Sequence, residues 1–306
     1  MKQINGSTRR KHLSIKHQEY VAGYSFILLY MLATIIFASI PMLYTFYLSF
    51  TDFNSLSKAH NLSFAFVSNY IDVLNDSDAM SSFGKSFLFT IIEIPLMMIG
   101  AILLALGMNQ KIFARGTIRT MLLIPYVTNI TAIAIAWKAM LDPTSGPINT
   151  LLHLIGISNP PLWLNDVKLV IPVMAFIYVY QNIAYQAIVL LAALQGVPAD
   201  LYEAAELDGA SKFKRFLNVT LPIISPATFF ILIASIIGST QTYSIVAALT
   251  RGGPAGASEM VSFNIIKNAF QFNKFSFAAA QSVLLFAALA ALTLIQWRLQ
   301  KKWVNY

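Results

Sequence analysis

Cysteine is absent from the 306 residues, which excludes a disulfide framework, a thiolate metal site and a thiol nucleophile. Charge is scarce too. Asp, Glu, Lys and Arg make up 11% of the chain, against about 25% in a soluble globular domain. So few ionised groups cannot cover a water-facing surface, and neither a soluble domain nor a disordered chain fits. Histidine occurs four times, as His12, His17, His60 and His153, scattered over the N-terminus and the outer loops. Also missing are the Gly-x4-Gly-Lys-Ser/Thr phosphate loop, the Gly-x-Ser-x-Gly elbow and His-Glu-x-x-His. Work against a gradient would need energy supplied by another chain.

Apolar and aromatic residues fill the gap, at 57% of the chain. A helix needs about 20 mostly apolar residues to cross a bilayer, and six charge-poor runs reach that length: residues 21–50, 86–108, 120–140, 169–195, 221–249 and 275–297. The first is too long for a secretory signal and lacks a small-x-small site before polar sequence; it reads as a retained span. With the N-terminus inside, the cytoplasmic segments hold Lys2, Arg9, Arg10, Lys11, Lys16, Lys111, Arg115, Arg119, Lys212, Lys214, Arg215, Arg298, Lys301 and Lys302. The outer segments carry the remaining basic residues, balanced by Asp52, Asp72, Asp76, Asp78, Asp142, Asp166 and Glu259. By the positive-inside rule both termini are cytoplasmic. The net charge of +8 therefore reports topology rather than nucleic-acid binding.

The outer loops have content of their own. Residues 51–85 carry scattered acids with Phe64, Phe66 and Tyr70, enough for a small helix against the outer face. Residues 142–168 contain Pro143, Gly146, Pro147, Pro160 and Pro161 and must turn repeatedly. Arg251-Gly-Gly-Pro254 reads as a sharp turn after the fifth span.

One cytoplasmic segment differs from the rest. After Pro198 come Asp200, Glu203 and Glu206, acids suited to the positive end of a helix dipole. Gly209 can take φ > 0 and end that helix, and Ser211 can cap a second, in which Lys212, Lys214 and Arg215 alternate with Phe213, Phe216 and Leu217. The result is a helix–Gly–helix elbow along the membrane surface, with Ala204, Ala205 and Ala210 giving a low-relief face for another protein.

These residues carry a resemblance. Glu203, Ala204, Ala205, Gly209, Leu221 and Pro222 stand at the spacing Glu-Ala-Ala-x3-Gly-x9-Ile-x-Leu-Pro, with Val219 for the Ile. Six fixed positions should coincide by chance fewer than ~10⁻⁴ times. The pattern resembles that of permease subunits of binding-protein-dependent ABC importers. Leu48-Ser-Phe-Thr-Asp-Phe53, Asn69-Tyr70, Ile124-Pro-Tyr126, Gly146-x-Ile-Asn149, Gly252-Gly-Pro254, Ala278-Ala-Ala280 and Gln296-x-Arg-Leu299 are similar to the carbohydrate branch. Thr250-Arg-Gly-Gly-Pro254 is similar to the first permease of the usual pair. Arg251 is a departure, standing where the family often has Gly or Asn.

Polar side chains cluster inside three spans: Tyr126, Thr128, Asn129 and Thr131 in the third; Tyr178, Tyr180, Gln181, Asn182, Tyr185 and Gln186 in the fourth; Ser235, Ser239, Thr240, Gln241, Thr242 and Tyr243 in the fifth. Tyr178, Gln181, Asn182 and Tyr185 follow i, i+3, i+4, i+7 and share one helix face. Amides at that depth either meet a polar substrate or bond across helices; both readings stay open. The resemblance implies substrate contacts at Tyr126, Ile130, Tyr178, Gln181, Asn182, Tyr185, Ser235, Gly238, Ser239 and Thr242. It also implies ATPase coupling through Glu203, Ala204, Ala205, Asp208, Gly209 and Ala210. Glu93, the one acid within a span, is expected either to pair structurally, with Lys138 as candidate, or to act in selection or gating.

The expected fold is all-α, a polytopic membrane protein with six transmembrane helices, both termini cytoplasmic, and the type I ABC importer permease fold. Residues 1–20 form a cytoplasmic segment. Residues 21–306 form the permease domain, with a core of about 86–297 and the coupling loop at 196–221. The resemblance implies passage of a di- or oligosaccharide across the bacterial cell membrane. It further implies a second permease, two cytoplasmic ATPase subunits and a solute-binding protein. ATP and Mg²⁺ would sit on the partners, with no cofactor or metal on this chain. A self-sufficient transporter would need an ion relay and usually inverted repeats, and a membrane enzyme would need a carboxylate pair or histidine cluster; neither pattern is found.

Overall fold

The computed structural model describes residues 15–53, 63–110 and 113–303. The sequence readings at Lys2, Arg9, Arg10, Lys11, His12, His60 and Lys111 lie outside them. Among the described residues the regular structure is helical, apart from one isolated bridge between Thr51 and Phe64.

The first span is α1 (Ile15–Thr34) and α2 (Ile40–Ser49), joined through one π-helical turn at Ile35–Ser39. The small outer helix expected near Tyr70 is α3 (Ser68–Asn75). Asn69 fastens it, its Nδ2 donating to the carbonyls of Ser49 and Thr51 at 2.9 Å each.

Helix α4 (Ser77–Asn109) begins nine residues before the expected second span. Asp76 caps it, accepting from the Ala79 N–H at 2.8 Å. Its 33 residues reach about 50 Å at 1.5 Å per residue, well beyond a ~30 Å hydrocarbon core. The first turns therefore stand outside the core. The fourth span, α8 (Val170–Gln195), lies along α4. Ala101 and Ala105 meet Ala187, Leu190, Leu191 and Leu194 there, and a Cβ on Gly100 would overlap the Ile183 Cδ1. Small residues let two backbones approach where lipid provides no hydrophobic drive.

Two expected straight spans are broken. The third is α5 (Arg115–Val127) and α6 (Ile130–Met140), bent by 95°. Pro125 removes one ladder N–H, Thr128 is extended at ψ 140°, and Asn129 caps α6 by accepting from the Thr131 N–H at 2.8 Å. The fifth expected span is α11 (Leu221–Ile223), α12 (Ser225–Thr240) and α13 (Tyr243–Leu249). It bends by 70° at Ile224, between Pro222 and Pro226, and turns again at Gln241. The sixth, α15 (Phe275–Trp303), is straight. Among the described residues four helices are thus long and apolar enough to cross a membrane, and up to six spans result if each bent pair is counted as one.

The outer connections explain several motif residues. Gly146 precedes α7 (Pro147–Leu154) where any Cβ would overlap the Asp142 carbonyl. Asn149 accepts from the Trp163 indole at 2.7 Å and donates to the Pro143 carbonyl. Asp142 Oδ1 accepts from the Ser145 N–H, the Thr144 hydroxyl and the Thr144 N–H, which hold its carboxyl well below the usual carboxylate range. After α13 the turn is as sharp as expected: Arg251 has φ +52° and Gly252 +88°. Arg251 thus occupies left-handed backbone that Gly or Asn adopts at lower cost. Helix α14 (Val261–Phe270) then carries Lys267, paired with Glu259 at 3.0 Å.

Candidate functional site

The cytoplasmic elbow forms as its residues require. Helix α9 (Ala199–Leu207) follows Pro198 and carries Asp200 in its first turn. Its end closes on N–H groups of Asp208, Gly209 and Ala210 donating to the carbonyls of Ala204, Glu206 and Ala205, with Gly209 at φ +73°. This is the left-handed C-terminal cap that glycine favours. Ser211 accepts from the Lys214 N–H to start α10 (Lys212–Arg215), which runs through a π-helical turn at Phe216–Thr220 into α11. Two side-chain ties fix the bend: Arg215 to Glu206 at 2.6 Å, and Tyr202 to Thr220 at 2.9 Å.

The exposed surface of this elbow differs from the expected alanine face. Glu203, Ala204, Asp208 and Gly209 face outward, whereas Ala205 and Ala210 are half-buried. Leu207, which sequence reasoning passed over, is 90% exposed. A large apolar residue between Glu206 and Asp208 on a loop was its available signal.

The intramembrane residues separate into two sets. Tyr126 on α5 and Tyr185 on α8 stack with centroids 4.8 Å apart and planes 8° apart, each 39% exposed. Next to Tyr185 by one helical turn, half-buried Asn182 donates only to the Tyr178 carbonyl of its own helix, at 2.9 Å. These rings and this amide are open to a ligand with polar edges and flat apolar faces.

The other predicted contacts are turned inward. Gln181 is buried and its Nε2 donates to the Thr128 carbonyl at 3.0 Å, tying α8 to the break in the third span. Tyr178 packs edge-on against Phe89, with its hydroxyl oxygen 2.7 Å from where a Cβ on Gly238 would stand; Gly238 leaves room for that ring. Ser239 shares a 2.7 Å bond with Thr90, and Thr242 donates to the Met260 sulfur at 3.3 Å. Ser235 is buried with no partner for its hydroxyl among the described residues. Ile130 is half-buried against the core. The single polar face expected on the fourth span therefore divides around the helix between an open edge and a seam. Thr90, Phe89 and Met260 complete that seam and were missed, having nothing to distinguish them from ordinary span residues.

Glu93 does not pair with Lys138. Its side chain is fully buried on α4, neither carboxylate oxygen has a hydrogen-bond partner among the described residues, and the described ion pairs are those of Arg215 and Lys267. The cause is placement. Lys138 lies on α6, which packs chiefly on α13 and α8, and its side chain lines the outer mouth with Asp142 and Asn165.

Comparison with known proteins agrees with this geometry. The family described as binding-protein-dependent transport system inner membrane component matches residues 97–305. The chain is 30% identical over 286 residues to the trehalose/maltose transport system permease protein MalF of Thermococcus litoralis, covering 92% of this chain and 94% of that one. It is 31% identical over 245 residues to the sn-glycerol-3-phosphate transport system permease protein UgpA of Agrobacterium fabrum, covering 80% and 83%. In fold it is similar to a chain of a bacterial alginate ABC transporter solved with an alginate pentasaccharide-bound periplasmic protein. That match has a TM-score of 0.81 at 18% identity and covers 94% of this chain and 96% of that one. Elbow, broken spans and matched length agree: the chain belongs to the family of binding-protein-dependent transport system inner membrane components.

Proposed function

We propose that this chain is the permease subunit of an ABC importer that passes a di- or oligosaccharide across the cell membrane, driven by ATP hydrolysis on partner subunits. The observation that carries the reading is the elbow. Glu203, Ala204, Leu207, Asp208 and Gly209 stand exposed on one capped turn, on the side that loop charge makes cytoplasmic. Two ATPase subunits, one on this elbow and one on a second permease, would pull it as they close on ATP and Mg²⁺. Because Arg215–Glu206 and Tyr202–Thr220 tie α9 to α10 and to the π-helical turn that runs into α11, displacement of the elbow would rock the fifth span against α4 and α8. A solute-binding protein would deliver the sugar at the outer face. Alternating access then needs no bond chemistry from this chain.

A neutral sugar suits the open edge. Stacked Tyr126 and Tyr185 offer flat apolar surface, and Asn182 offers an amide whose oxygen has no partner within the described residues. No Lys or Arg lies within the polar clusters of the third to fifth spans, as a multiply anionic substrate would require. The test is transport and ATP hydrolysis by the reconstituted complex. Glu203→Lys or Gly209→Pro should abolish sugar-coupled ATP hydrolysis with the complex still assembled. Asn182→Ala should raise the half-saturating sugar concentration about ten- to hundredfold, as loss of a hydrogen-bonding partner at roughly 1–3 kcal/mol implies, or change the order of preference across a sugar panel. Normal coupling in both elbow variants would refute the reading.

A further inference from the structure

We infer that the groove between the cytoplasmic end of α4 and the α10 limb of the elbow is a binding site for one anionic phospholipid of the inner leaflet. The groove is a cavity of about 830 Å³. One wall is Ile99, Ile102, Leu103 and Leu106 of α4, spaced i, i+3, i+4 and i+7, hence a single apolar stripe. Ile99 and Leu103 are more than 60% exposed. The facing wall is Phe213 and Phe216 from the amphipathic turn of the elbow.

Length and charge select the occupant. From Ile99 to Asn109 the helix rises about 15 Å at 1.5 Å per residue, half of a ~30 Å hydrocarbon core and so the depth of one leaflet. An acyl chain lying along the stripe would bring its glycerol and headgroup level with Asn109 and Gln110, where α4 ends and the lining turns polar. At that level stands Lys212, exposed and in no ion pair among the described residues. Arg215 also lines the groove, but Glu206 neutralises it at 2.6 Å. Among the described lining residues Lys212 is the cation in no ion pair, and one such charge above an apolar slot one leaflet deep matches one phosphate carrying a net negative charge, which the field of basic pockets on the cytoplasmic side can hold. An apolar helix from a second subunit would satisfy the stripe but would leave Lys212 with no counter-charge.

The test uses the full chain assembled with its partners in bilayers. Phe213→Trp places an indole in the groove, whose emission is read over the background of the four native tryptophans. Brominated phosphatidylglycerol should quench it at about one-fifth of the mole fraction needed by brominated phosphatidylcholine, the worth of one lysine near an anionic surface. Adding Lys212→Glu should erase that preference, while Lys274→Glu, on the outer side, should not. Lipid counting by native mass spectrometry, on the otherwise unaltered chain, should show one phosphatidylglycerol fewer with Lys212→Glu. Equal quenching by the two lipids, or an unchanged lipid count, would overturn the inference. So would an indole quenched by neither lipid, since that outcome means a protein helix fills the groove.

Discussion

The first and fourth spans are both long helices without an internal charge, yet the rest of the chain buries none of the apolar stretch of the first and half of that of the fourth. Phe26, Leu29 and Phe37 on the first are 77–84% exposed. It touches its neighbours mainly through α2, where Phe46 meets Phe286 edge-on at 5.9 Å. The fourth span instead seats Gln181 and Gln186 inward and packs alanines against α4. Apolar surface alone thus does not bring helices together in a membrane, because lipid tails satisfy it equally well. Close backbone approach and inward polar groups do.

Glycine offers the sharpest way to break this comparison. Gly100→Leu forces α4 away from Ile183 on α8 and should destabilise the assembled complex by about 3 kcal/mol. Gly23→Leu on the first span meets nothing within 4 Å and should leave recovery and thermal midpoint unchanged. Equal effects would mean that the first span is packed as tightly as the fourth.

Glu93→Met tests whether inward polar groups always serve packing. The carboxyl is buried without a partner among the described residues, so an apolar side chain of similar length should stabilise the complex by about 2 kcal/mol, seen as a higher thermal midpoint. A fall in transport alongside that gain would assign Glu93 to selection or gating.

Gln181→Leu removes the bond to the Thr128 carbonyl and should cost about 1 kcal/mol, read as a lower thermal midpoint of the assembled complex. Phe26→Ala is expected to change stability by less than about 0.5 kcal/mol in the isolated chain. A larger loss in the assembled complex would show that a second subunit covers this face.

Much of the architecture was legible because its physical causes are local. Charge scarcity and loop bias define a polytopic helical protein before any contact is known. The elbow was equally legible, since Asp200, Gly209 and Ser211 act within a few residues of themselves. The alanine face there is less legible: Ala204 is exposed but Ala205 and Ala210 are half-buried, a difference that depends on what packs against each side of the cap. Length and hydropathy delimit the third and fifth spans but do not register a bend within them. Pro125 and Pro222 are visible, but prolines also occur within unbroken membrane helices, as Pro95 does in α4.

Whatever depends on single residues and their near neighbours can be read before any contact is known: membrane residence, orientation, the number of charge-poor runs, the helix–Gly–helix elbow and the positions where polar atoms enter the bilayer. Where those polar atoms point depends on how the helices pack. Tyr178, Gln181, Asn182 and Tyr185 lie on one face by periodicity, yet α4, α5 and α12 approach that face from different sides. Gln181 and Tyr178 are thereby covered and Tyr185 is left open. Glu93 and Lys138 are plausible partners by charge and depth, but α6 packs elsewhere and they do not meet. A helix face is a local property, whereas its environment is set by which other helices approach closely enough to cover it.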